Sequence, residues 1–201
     1  MNEKESRKST IICVCGMAGS GKSTLAKRLA EKYSCRYFSG GDALKELAIE
    51  EGYRDVKCGW WESKEGLSFL ERRSKDQKFD ETIDRKLLGF AEKGNVIFDS
   101  WTMPWLLKIG FKIWLEASLG NRAKRIAKRD NMEVEEALKA LRSKEEQTRK
   151  IYKRLYGFDL GKDYEPFHLI LDTDNLEADE VFEVLCAVID GCVLHFKSEK
   201  P

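Results

Sequence analysis

The residues in this chain that are spaced for chemistry are Gly16-Met-Ala-Gly-Ser-Gly21-Lys22-Ser23-Thr24. A glycine separated by four residues from Gly-Lys-Ser lets successive backbone N–H groups turn inward around a chain of phosphates. In that arrangement Lys22 reaches the β- and γ-phosphates and the Ser23 hydroxyl ligates Mg²⁺. Gly16, Met17, Ala18, Gly19, Ser20, Gly21, Lys22, Ser23 and Thr24 are therefore expected to cradle a nucleoside triphosphate, ATP. An acid is expected to complete the metal site. Asp99 ends the apolar run Val96-Ile-Phe, and in an open α/β sheet ligands gather at the carboxyl ends of strands. Ser23 and Asp99 are thus the expected Mg²⁺ positions.

Phosphoryl transfer also needs cations, because negative charge spreads over the moving group. From Arg122 to Arg154 the chain holds twelve Lys and Arg against six Asp and Glu. That stretch has a net charge of +6 in a chain whose formal total is +1, so the remainder is acidic. Arg122, Arg125 and Arg129 recur at spacings of three and four, on one helix face. Arg125, Arg129 and Arg149 are the candidates to neutralise the transferring group, with Arg142 and Lys144 as further choices. A basic surface for nucleic acid is disfavoured, since no aromatic platform is interleaved and overall charge is balanced.

Elements to position these groups follow from hydrophobic period. Ile11–Cys15, Arg36–Ser39, Val96–Asp99, Phe111–Leu115 and Leu169–Asp172 read as strands. Between them lie amphipathic helices at Leu25–Lys32, Ala43–Glu51 (capped by Asp42 after a break at Gly40-Gly41), Phe79–Lys93 and Asn121–Arg129. One or two charged helices fill Glu133–Tyr156, and a last helix begins at Glu177. Strand–helix alternation predicts a three-layer α/β/α domain around a five-stranded parallel sheet. Gly52–Lys78 supplies apolar anchors such as Cys58-Gly-Trp-Trp61 without a clear period. Met1–Ser9 reads as a frayed start.

A length of 201 residues, 35% charged, suits one soluble domain, and no stretch has the length of a membrane span or signal peptide. Six cysteines without a C-x-x-C pair read as reduced core residues, and the two histidines lack metal-ligand spacing. The tryptophans Trp60, Trp61, Trp101 and Trp105 serve either as core or as stacking surfaces over an acceptor base.

Further motifs occur in one order: Phe38-Ser-Gly-Gly-Asp42, Gly94-Asn-Val-Ile-Phe98, Lys112-Ile-Trp-Leu115, Arg122-Ala-Lys-Arg-Ile-Ala-Lys-Arg129 and Tyr152-x-x-x-Tyr156-Gly-Phe-Asp159. With the glycine loop they resemble the archaeal-type cytidylate kinases, among the nucleoside monophosphate kinases. The resemblance implies an ATP- and Mg²⁺-dependent cytoplasmic enzyme, monomeric or homodimeric, acting on small nucleotides. It implies an acceptor-binding segment over about 39–95 and a helical lid over about 130–160. Ser39, Gly41 and Asp42 match where the acceptor side begins. Lys45 stands where the family often has Arg, Trp101 where a Gly-Arg usually follows the acid, and Ile151 where an Arg commonly precedes the lid tyrosine. Ser39, Gly41, Asp42, Lys45 and Trp101 are the acceptor-side expectations. The acceptor is expected to be CMP or dCMP. The alternatives are another small acceptor such as dephospho-coenzyme A, or a non-catalytic ATP-binding relative. The Asn-Lys-x-Asp motif of GTPases does not occur.

Overall fold

The computed structural model describes residues 10–56 and 59–194. Cys58 and the Met1–Ser9 start lie outside them. Five strands, β1 (Ile11–Cys15), β2 (Arg36–Ser39), β3 (Val96–Asp99), β4 (Phe111–Glu116) and β5 (Leu169–Asp172), form one sheet in the order β2-β3-β1-β4-β5. Every pairing is parallel. β1 is buried along its whole length at the centre, which explains its unbroken apolar run.

Successive side chains of a strand point to opposite faces, and the two faces bury separate cores. Ile11, Cys13, Val96 and Phe98 pack with Leu44 of α2 (Gly40–Glu50) and with Ile83 and Leu87 of α4 (Lys78–Ala91). Ile12, Val14, Ile97, Ile113 and Leu115 pack with Leu25 and Leu29 of α1 (Lys22–Lys32) and with Val181 and Leu185 of α8 (Ala178–Val188). Leu29 is fully buried, so Leu29→Ala is expected to cost about 2–5 kcal/mol.

The stretch without a readable period, Gly52–Lys78, contains a 3₁₀ turn at Trp60–Glu62 and α3 (Lys64–Lys75). Ser63 joins them: its hydroxyl donates to the Trp60 carbonyl at 2.6 Å and accepts from the Gly66 N–H at 3.3 Å. Gly66 is required there, because a Cβ would lie 2.1 Å from the Trp60 carbonyl oxygen. Short α5 (Met103–Leu106) follows β3, and α6 (Leu119–Asp130) and α7 (Val134–Tyr156) close the far side. α7 is one continuous helix. α6 and α7 bury Ala123, Ile126, Ala137 and Leu141 against each other.

One expectation is corrected. β2 ends before Gly40-Gly41 as expected, but Asp42 does not cap α2, which begins at the glycines themselves. Ser39 is the cap, its hydroxyl accepting from the Asp42 N–H at 3.0 Å, and both glycines lie inside the first turn. Gly40 is small because the Ser100 side chain presses on it, 3.3 Å from where a Cβ would stand.

Five cysteines, Cys13, Cys15, Cys35, Cys186 and Cys192, are free thiols. Burial pushes the Cys13 thiol up to about 12 and raises Cys15 further, so both behave as small apolar core groups. Among the described residues no helix is long and apolar enough to cross a membrane.

Candidate functional site

β1 leaves the sheet centre towards the β2 edge, while β3 sends its connection towards β4. A crevice opens between the carboxyl ends of such strands, and it is occupied by the Gly16–Gly21 loop. Gly16 takes φ +150°, and a Cβ there would sit 2.5 Å from the Leu115 carbonyl oxygen. The loop can therefore lie flat against β4 only with glycine at that position. α1 then starts at Lys22 with no side-chain cap and no acid in its first turn. Its leading N–H groups and dipole are left for an anion. The Ser20 hydroxyl in the same loop is buried without a hydrogen-bond partner.

From the loop a cavity extends between α2, the Trp60–Glu62 turn, α4 and α7. Of the predicted residues, Ala18, Gly19, Lys22, Ser23, Ser39, Gly41, Asp42, Lys45, Asp99, Trp101 and Arg129 line it. Asp99 is 4% exposed and level with Ser39 across the β2–β3 ladder. The Tyr37 hydroxyl donates to its Oδ2 at 3.2 Å. No Lys or Arg among the described residues forms an ion pair with it. A buried carboxylate without a counter-ion, sharing a cavity with the Ser23 hydroxyl, is the hard-oxygen donor set that suits Mg²⁺.

Trp101 lies across the mouth of the loop. Its indole N–H donates to the Gly16 carbonyl at 2.6 Å, and the Lys22 ammonium stands 5.6 Å from its ring centroid. Lys45 is held by Asp55 at 2.7 Å. Trp61 also lines the cavity, with the Lys144 ammonium 5.3 Å from its ring. Trp60 belongs to the buried core and lines the cavity as well, whereas Trp105 stacks on Phe158 outside the lining, with centroids 3.7 Å apart.

The basic stretch is divided by the structure. Arg122 is a brace: it donates to the carbonyls of Ala117 and Ala18, each at 3.0 Å, and pairs with Glu145 of α7. Arg125 donates to the Thr173 carbonyl at 2.9 Å and to the Ser20 carbonyl at 3.4 Å, touching the loop from outside the cavity. Arg149 donates to the Leu160 carbonyl at 2.9 Å and likewise stands outside the lining. The cations inside are Lys22, Lys45, Arg73, Arg129 and Lys144. Lys144 and Arg129 share Glu62, at 2.9 and 3.2 Å, and Arg129 also holds Asp130 at 2.6 Å. Burial lowers the Lys144 pKa, with Glu62 opposing that shift.

Sequence reasoning passed over the other wall. Arg73 of α3, 2% exposed, is gripped by Asp80 of α4 at 2.5 and 2.8 Å and donates to the Tyr152 hydroxyl of α7 at 2.9 Å. One turn further along α4, Asp84 accepts from the Thr102 hydroxyl at 2.6 Å and from Tyr156. Desolvation raises the Asp84 pKa. The only advance signal was the Tyr152-x-x-x-Tyr156 pair. Arg73 and Asp80 lie on separate helices with a break between them, so helical spacing does not predict their pairing.

Relatives and neighbours agree with this architecture. Residues 11–175 match the model of the cytidylate kinase-like family. A cytidylate kinase of Methanocaldococcus jannaschii is 35% identical over 90% of this chain and 98% of its own length. One of Sulfurisphaera tokodaii is 37% identical over 90% of this chain and 95% of its own. In fold, the chain is similar to a shikimate kinase from Acinetobacter baumannii, with a TM-score of 0.55 at 16% identity, covering 96% of this chain and 99% of the other. With the phosphate loop, the parallel sheet and the collinear match over four fifths of its length, the chain belongs to the cytidylate kinase-like family.

Proposed function

We propose that this nucleoside monophosphate kinase transfers the γ-phosphoryl group of Mg-ATP to CMP or dCMP in the cytoplasm. The observation that carries the reading is that one cavity joins the phosphate loop to an enclosed polar pocket on a chain of this family. The loop N–H groups and Lys22 hold the donor phosphates. Mg²⁺, when held near Ser23 and Asp99, offsets charge on the transferring oxygens. Lys144 and Arg129 face the same space and neutralise the moving group once they release Glu62. The acceptor phosphate oxygen is already a nucleophile, so no general base is required. Residues of about 39–95 form the acceptor wall and about 130–160 the lid, whose closure excludes water and favours transfer over hydrolysis. Arg125 and Arg149 brace the loop and the lid through backbone carbonyls.

The test is ADP release from Mg-ATP with CMP, dCMP, UMP, AMP, GMP and dephospho-coenzyme A offered in turn, beside Lys22→Ala. Turnover highest with CMP or dCMP and absent in the variant is expected. Release that no monophosphate stimulates, with ATP still bound, sinks the proposal.

A further inference from the structure

Among the described residues only two buried side-chain polar atoms lack a hydrogen-bond partner, the Ser20 hydroxyl and the Thr148 hydroxyl. Ser20 belongs to the phosphate loop. Thr148 belongs to no sequence motif. It is 1% exposed, lines the cavity, and lies on α7 one turn from Lys144 and one turn from Tyr152. A buried hydroxyl left unpaired is costly, and it is tolerated where a ligand completes it.

Beside it, Arg73 has a donor to spare. Nε and Nη2 are used on Asp80 and Tyr152, while Nη1 makes no hydrogen bond among the described residues. Asp80 neutralises the guanidinium, and Asp84 adds a second carboxyl group to the same wall. This end of the cavity therefore carries no surplus positive charge. It suits a neutral hydrogen-bond acceptor and disfavours a phosphate. Eight positions of α7 separate Lys144 from Tyr152, about 12 Å at the rise of an α-helix, so one extended nucleotide can reach both ends.

On the monophosphate-kinase reading above, we propose that Arg73 and Thr148 are specificity-determining residues. The Nη1 group of Arg73 donates to a carbonyl oxygen of the acceptor's base, and the Thr148 hydroxyl makes a second hydrogen bond to the same base. Asp80 and Tyr152 are positioning residues that fix the guanidinium. An adenine ring has no carbonyl oxygen and leaves Arg73 unsatisfied, which is the stronger form of discrimination.

Thr148→Val tests this, because valine keeps the shape and removes only the hydroxyl. Calorimetric titration with CMP and with AMP, and the thermal midpoint of the free protein, are measured together. The expected result is CMP binding weakened about tenfold, AMP binding unchanged, and a midpoint equal to or above that of the parent. The double variant Arg73→Gln/Asp80→Asn keeps a neutral hydrogen-bonded pair without the spare donor. It is expected to bring CMP and AMP affinities together. If both variants bind CMP like the parent, the inference falls and the proposed function stands. A loss shared equally by CMP and AMP makes Arg73 a phosphate or sugar contact and overturns base reading. If the parent binds no monophosphate at all, this inference and the proposed function fall together.

Discussion

The two ends of the cavity are built by opposite strategies. The phosphate end is one unbroken run, Gly16 to Ser23, whose donors are mostly backbone N–H groups and whose shape comes from glycine. The far end has no local unit: Arg73, Asp80, Thr148 and Tyr152 come from three helices, and the two partners of the Arg73–Tyr152 hydrogen bond are 79 positions apart in sequence. Backbone donors need only the correct turn. Side-chain donors drawn from three helices need the whole fold in place, together with a counter-charge for every buried ion. The first end is thus suited to a group shared by many enzymes, the second to a group that distinguishes this acceptor.

The comparison predicts that damage at the phosphate end reads out in rate and damage at the far end in stability. The largest effect is expected from Lys22→Met. Loss of this cation should lower kcat by about 10³-fold, with an unchanged chemical-denaturation midpoint, since Lys22 forms no ion pair among the described residues. Next is Asp80→Ala, which strands the Arg73 charge in the interior. Urea unfolding should show a loss of about 3–5 kcal/mol, and an equally stable variant would break the comparison. Asp99→Asn removes the carboxylate that shares the cavity with Ser23. The Mg²⁺ concentration for half-maximal activity should rise about 10–100-fold while stability holds.

The smallest effect sharpens the contrast through pH. Burial lowers the Lys144 pKa below the ordinary lysine value. Its positive charge is lost as pH rises through that lowered value, so kcat/KM should fall at a lower pH than an ordinary lysine would dictate. Lys144→Arg retains charge throughout and should carry the alkaline limb upward, with activity at neutral pH within about threefold of the parent. Coincident profiles for the two proteins would remove Lys144 from phosphate neutralisation.

What the sequence made legible follows the same division. β1, β3 and β4 were readable because buried parallel strands are short apolar runs, and Asp99 punctuates one of them; the edge strands β2 and β5, only partly buried, were readable as short runs of the right composition. The loop was readable because its chemistry is contiguous. Helix starts were less so: Gly40 and Gly41 look like breakers until Ser100 is seen pressing against the first turn. Arg125 and Arg149 could not be separated from Arg129 by charge or spacing. What separates them is which carbonyl or carboxylate lies nearest in the fold. Arg73 was invisible for the plainest reason, since in sequence it is one more cation in a charged helix. Only the fold reveals it as buried.

The position of Trp101 has an optical consequence. Its indole is tied to the loop through the Gly16 carbonyl and faces the ammonium of Lys22. A nearby cation shifts and partly quenches indole emission, so the ring reports where that ammonium is. When a triphosphate draws Lys22 away, the fluorescence of Trp101 should change at the moment of donor binding, before any acceptor is added. Trp101→Phe, compared with the parent, would isolate that signal from the other four tryptophans and turn the residue lying across the loop into a built-in clock for the first step of the reaction.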